Sequence, residues 1–126
     1  MKGKLAHVKK ILAELRRMPE VKAVYLFGSY ANGEEKPMSD IDLCAITTRR
    51  LPESKKLEIL SNAGAFIDIS VFQDLPIAVR ARVLKEGKLL YCKDKGFLNS
   101  VLASTVREYL DFNPVLEKFT KLYIGG

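Results

Sequence analysis

The spacing of apolar residues along the chain predicts helices that alternate with short strands. Apolar positions recur at helical intervals from Leu5 to Met18, and Pro19 ends that first helix. Three runs rich in β-branched and aromatic residues then predict buried strands. The further predicted elements are strands at 21–27, 41–47 and 66–72, helices at 52–60 and 77–86, a short edge strand at 88–92 and a long amphipathic helix from residue 95 onward.

The last predicted helix is long for a chain of 126 residues. Asn113 and Pro114 are expected to interrupt it, with Asn113 as the cap of a second helical piece. We expect its aromatic residues to lie mostly in the core. Because the helix is long, part of it could instead contact a partner protein. These aromatic residues are Tyr109, Phe112, Phe119 and Tyr123.

Alternation of strands and helices indicates an α/β fold, with a small sheet that helices cover mainly on one side. Residues 1–126 are enough for one core but not for two, so we expect a single domain. No apolar run approaches the length of a bilayer span. Cys44 and Cys92 have no framework spacing, which favours a reducing cytoplasm over a disulfide scaffold.

The formal net charge is +6, which suits nucleotides, nucleic acid or an acidic protein, or serves solubility alone. Basic residues occur as scattered pairs rather than as a dense run, so nucleic acid is not expected as the main partner.

The most informative segment joins the first two predicted strands. Gly28 and Ser29 follow the first strand, and a turn that opens a helix offers backbone N–H groups and a hydroxyl to phosphate. Asp40 and Asp42 stand at i and i+2 on the second strand, so both side chains point to one face. Paired carboxylates repel unless a cation lies between them, and Mg²⁺ commonly bridges such carboxylates to substrate phosphates. Phosphate beside a metal indicates a nucleotide site.

Three residues leave a second interpretation open. Asp68 stands alone in an apolar strand, where a buried acid needs either a salt bridge or a place beside the first two aspartates. Ser29 serves as a helix cap in addition to any contact with phosphate. Ser39 precedes the first acid and either contributes to the nucleotide site or only holds the end of the strand.

The pattern Gly28-Ser29, a spacer to Ser39, and Asp40-Ile41-Asp42-Leu43 resembles the nucleotidyltransferase superfamily, which contains DNA polymerase beta and kanamycin nucleotidyltransferase. The short length is similar to the minimal members, the MntA-type antitoxins that accompany HEPN-type toxins. The resemblance implies a mixed sheet and a third carboxylate at Asp68. Asn32 departs from the family pattern, because many members carry arginine at this position.

The resemblance also implies an activity. A nucleoside monophosphate, most simply AMP from ATP, would move to a hydroxyl acceptor such as a tyrosine of a HEPN-type toxin. Gly28, Ser29 and Ser39 would hold the nucleotide, while Asp40, Asp42 and Asp68 would bind two Mg²⁺ ions and perform catalysis.

Two alternatives stay open. A catalytically idle chain would neutralise its partner by contact, and an antibiotic-modifying transferase would need a second wall for its acceptor pocket, which self-association could supply.

Overall fold

A four-stranded mixed sheet forms the centre of the protein within the part of the chain that the structure describes. The structure is a computed structural model that describes the backbone of residues 2–28 and 41–124 and the side chains of residues 5–28 and 41–112. The elements are α1 Lys2–Arg17, β1 Val21–Phe27, β2 Ile41–Thr47, α2 Glu53–Leu60, β3 Ile67–Val71, α3 Ile77–Glu86, β4 Lys88–Cys92 and α4 Lys95–Ile124.

The strands lie in the order β3-β2-β1-β4. β1 pairs antiparallel with both β2 and β4, whereas β2 and β3 run parallel. The parallel pair requires a crossover, which α2 supplies between the two strands. The α/β class, the mixed sheet and the edge position of β4 all agree with the predictions.

Helices pack on both faces of the sheet, so the prediction of cover mainly on one side is wrong. On one face, α1 and α2 close a core that contains Leu15, Leu43 and Ile59. On the other face, α3 and α4 close a second core around Cys44 and Ile46. Alternate residues of β2 therefore enter different cores, as expected for a strand that is buried on both sides.

The predicted break at Asn113 and Pro114 is also wrong, because α4 continues from Lys95 to Ile124 as one helix. Proline lacks a backbone N–H, so it removes one hydrogen bond from the helix interior, and here that loss does not end the helix. The aromatic positions at 119 and 123 lie outside the described side chains. Phe112 is exposed and Tyr109 is half-buried, so neither belongs fully to the core.

Two contacts fix the start of α4 and its packing against α3. The carboxylate of Asp94 accepts a hydrogen bond from the Phe97 N–H at 3.0 Å, which caps α4. The Arg80 guanidinium of α3 donates to both carboxylate oxygens of Glu108 on α4, at 2.9 and 3.0 Å. These bonds hold the pKa of Glu108 below its usual value.

The two cysteines are free thiols. Cys44 is buried, and this burial raises the pKa of its thiol to about 12. Among the described residues, no helix combines the length and the apolar character that crossing a membrane requires.

Candidate active site

Asp42 and Asp68 lie side by side on neighbouring strands. They are register partners across the parallel pair of β2 and β3. The residues that flank them enter the core on the α1–α2 side, so both aspartates point toward the side of α3 and α4. Paired strands are about 4.8 Å apart. The structure therefore brings two of the three predicted carboxylates within reach of a single cation.

Gly28 places the backbone against this acidic pair. It follows Phe27, which is the register partner of Asp42, and its φ of 82° lies in the left-handed region. A Cβ atom at Gly28 would lie 2.5 Å from the Asp42 Oδ2 atom. Only glycine accepts both this conformation and this approach without strain. The backbone conformation and the nearby Asp42 carboxylate therefore both require glycine at position 28.

Ser29, Ser39 and Asp40 lie outside the described residues, and so does Asn32. Their proposed contacts with nucleotide and metal stay predictions.

Asp68 is exposed, so the cost of burying a lone acid does not arise at this position. Within the described part of the chain, Asp68 makes no ion pair with a lysine or arginine. The alternative that assigned it to a salt bridge therefore has no support there. An exposed carboxylate at the sheet edge remains available to a ligand.

A cleft of about 220 Å³ opens beside Gly28. Phe27 of β1 and the residues Val79 and Val83 of α3 give it an apolar lining, while Arg82 and Glu86 stand on its charged rim. Sequence reasoning missed this cleft, although Val79 and Val83 at i and i+4 carry the signal of a helix face that packs on the strand end. The cleft has the apolar character that a planar base requires.

Among the basic residues of α3, Arg80 is bound within the fold. Besides the bonds to Glu108, the Arg80 Nε donates to the Leu75 carbonyl at 2.9 Å, so its guanidinium joins α3 to the preceding turn and to α4. Arg82 and Lys85, by contrast, are exposed. Arg80 therefore stabilises the packing of α3 against α4.

A larger cleft, of about 500 Å³, lies away from the acidic pair. It lies between α1 and the turn before β3, with His7, Lys10 and Phe66 in its lining. That position is on the opposite face of the sheet from Asp42 and Asp68. The volume of a cleft therefore does not identify the candidate active site in this protein.

The chemistry of the acidic pair fits a hard divalent cation. Two carboxylates on adjacent strands supply oxygen ligands of the kind Mg²⁺ prefers. Among the described residues there is no group of three or more His, Cys, Asp or Glu side chains that would hold an ion. Asp40, the remaining predicted ligand, lies outside that set. Asp42 and Asp68 are thus two of the three carboxylates of the predicted metal site.

Comparison with known proteins identifies the family. The model of the family described as "Polymerase beta, Nucleotidyltransferase" matches residues 9–96, more than two thirds of the chain. A Methanocaldococcus jannaschii protein named as a candidate protein adenylyltransferase, MJ1547, is 35% identical over 74 residues, which are 59% of this chain and 58% of the relative. The protein adenylyltransferase MntA of Shewanella oneidensis is 28% identical over 87 residues, 65% of this chain and 63% of the relative. The chain thus spans less than two thirds of the length of either relative.

Solved structures with the same fold include toxin–antitoxin complexes. A chain of a toxin–antitoxin structure with AMP-PNP superposes with a TM-score of 0.73 at 19% identity, covering 94% of this chain and 97% of the other. A chain of the tri-AMPylated Shewanella oneidensis HEPN toxin in complex with its MNT antitoxin gives 0.70 at 20% identity, covering 96% and 98%. At such identities the likeness establishes the fold. Because the family match covers more than half of the sequence, this chain belongs to the polymerase beta nucleotidyltransferase family.

Proposed function

We propose that this chain is a protein adenylyltransferase that moves AMP from ATP to a tyrosine hydroxyl of a HEPN-type toxin and thereby acts as an antitoxin. The observation that carries the proposal is the register of Asp42 with Asp68 beside the left-handed Gly28. The adenylyltransferase relatives and the toxin complexes of the same fold support the choice of substrate and partner.

Each residue has a defined role in the transfer. Gly28 and Ser29 would hold the β- and γ-phosphates, while the apolar cleft that Phe27 and Val79 line would take the base. Asp40, Asp42 and Asp68 would hold two Mg²⁺ ions, which supply charge neutralisation for the triphosphate and a lower pKa for the acceptor hydroxyl.

The acceptor oxygen forms a bond to the α-phosphorus as the bond from that phosphorus to the bridging oxygen breaks, and pyrophosphate leaves. Asp68 is exposed at the strand end, where it can accept the proton from the incoming hydroxyl as a general base. The products are an AMP–tyrosine ester and pyrophosphate.

The test uses ATP labelled at the α-phosphate, Mg²⁺, the purified chain and the purified product of the adjacent gene. Wild type should label that protein, and Asp42→Asn should abolish the labelling. Asp94→Asn is the matched control, because asparagine also caps helices and Asp94 lies at the start of α4 rather than at the acidic pair. Equal labelling by Asp42→Asn would remove the proposal.

The same variants decide whether the chain acts by contact alone. An adenylyltransferase requires intact carboxylates to neutralise its partner, whereas a contact antitoxin does not. Growth rescue by Asp42→Asn equal to that of wild type would favour the contact mechanism.

A further inference from the structure

We propose that the groove between α3 and α4 is the docking surface for the HEPN-type partner and receives one of its amphipathic helices. This inference rests on the proposed function, because it names where the partner of that same reaction binds. The α3–α4 groove is defined here by Ala78, Ala81 and Lys85 of α3 and by Leu102, Val106 and Tyr109 of α4.

The shape and chemistry of the groove suit a helix. It has a volume of about 430 Å³ and lies along two helices. Ala78 and Ala81 stand one turn apart on α3, and their small side chains let another backbone approach closely. On α4, Val106 is 54% exposed, and Leu110, one turn farther along, is 57% exposed. Apolar residues at i and i+4 offer the contacts by which a groove binds the apolar face of an amphipathic helix.

The length of α4 points to a covering partner. Its 30 residues span about 45 Å, while the 10 residues of α3 span about 15 Å. α3 therefore flanks at most a third of α4. The match to the nucleotidyltransferase family also ends at residue 96, so almost all of α4 lies beyond the shared catalytic unit.

Charge favours an acidic partner over a second copy of this chain. Arg82 and Lys85 stand at the α3 edge of the groove. Arg82 lies 3.6 Å from Glu86, whereas Lys85 makes no ion pair among the described residues. An acidic side chain of the bound helix would complement Lys85. Two copies of this chain, each with a net charge of +6, repel one another.

The experiment compares two leucines of similar exposure that lie on helices at opposite faces of the sheet. Leu110→Asp places a charge beside the groove, and Leu57→Asp places the same charge on α2, where Leu57 is 60% exposed. Binding of each chain to the purified product of the adjacent gene is measured by calorimetry, and folding is checked by circular dichroism. We expect Leu110→Asp to weaken binding at least tenfold and Leu57→Asp to leave it unchanged.

Val106→Asp, inside the groove, is a second variant with the same expectation should Leu110→Asp fail to fold. Unchanged binding by a folded groove variant, or equal loss with Leu57→Asp, would overturn the inference. Sedimentation that shows a wild-type dimer, which Leu110→Asp dissociates, would assign the groove to self-association and overturn it as well.

The two proposals fail in different ways. If wild type binds the HEPN-type protein but transfers no AMP, the proposed function fails and the docking surface stands. If Leu110→Asp binds and transfers AMP as wild type does, the docking surface fails and the proposed function stands.

Discussion

Substitution of Gly28 by alanine tests whether the backbone must lie this close to Asp42. Two effects add at this position. The left-handed conformation costs an alanine roughly 1–2 kcal/mol, and the new methyl group would lie 2.5 Å from the Asp42 Oδ2 atom. Either the loop after β1 or the carboxylate of Asp42 must therefore move.

The consequences for stability and activity differ in size. We expect the free energy of unfolding to fall by about 1–2 kcal/mol, from the backbone term alone. A displacement of about 1 Å at a catalytic group can cost on the order of 10²-fold in rate. AMP transfer by Gly28→Ala should therefore fall by about that factor under conditions where the variant is still folded.

Urea unfolding and label transfer to the partner are measured side by side. Gly64→Ala is the control, because no atom lies within 4 Å of a Cβ built at Gly64 and its φ is not in the left-handed region. That variant should be unchanged, or more stable by about 0.4–1 kcal/mol, since alanine restricts the unfolded chain. If Gly28→Ala transfers AMP at the wild-type rate, activity does not require the close approach of Gly28 to Asp42, and the proposed active site is wrong.

Three further predictions concern separate parts of the molecule. Asp68→Asn should lower AMP transfer by about 10²–10⁴-fold, as loss of a general base does, while Asp94→Asn keeps the wild-type rate; equal rates for both would exclude Asp68. Because burial raises the pKa of Cys44 from 9.0 to about 12, the unfolded chain loses this proton first as pH rises. Stability should then decrease by about 1.4 kcal/mol per pH unit between those two values, and urea titrations of Cys44→Ala should lack that part of the slope. Arg80→Ala removes the bonds to Leu75 and Glu108, so it should lower the melting temperature and let the pKa of Glu108 rise toward its usual value in an NMR titration; an unchanged Glu108 pKa would contradict the pairing.

The sequence predicts most of the elements because the local signals are strong. Pro19 ends the first helical pattern shortly before a strand that is rich in β-branched residues. In β2, residues 41–46 are apolar except for Asp42. The convergence of Asp42 and Asp68 depends on which strands are neighbours and on their register. Side-chain alternation predicts the face of the strand on which each aspartate lies. That the two strands are neighbours was predicted only from the family resemblance.

Three features depended on tertiary packing and were not predicted. Cys44 and Ile46 enter a second core, since α3 and α4 pack on that face, and strand patterns do not say which helix covers which face. Pro114 does not end α4, although a proline inside a helix usually carries that signal. Arg80 donates to the Leu75 carbonyl and to the carboxylate of Glu108, and Glu108 lies 28 residues farther along the chain on α4.

The intact mass of the partner after reaction shows whether the chain transfers AMP to it. The HEPN-type protein is incubated with ATP, Mg²⁺ and either the wild-type chain or Asp42→Asn, and its intact mass is then measured. We expect the mass to increase by whole AMP units with wild type and to stay unchanged with the variant. An unchanged mass with wild type, an increase by phosphate alone, or equal AMP addition with Asp42→Asn would contradict this expectation.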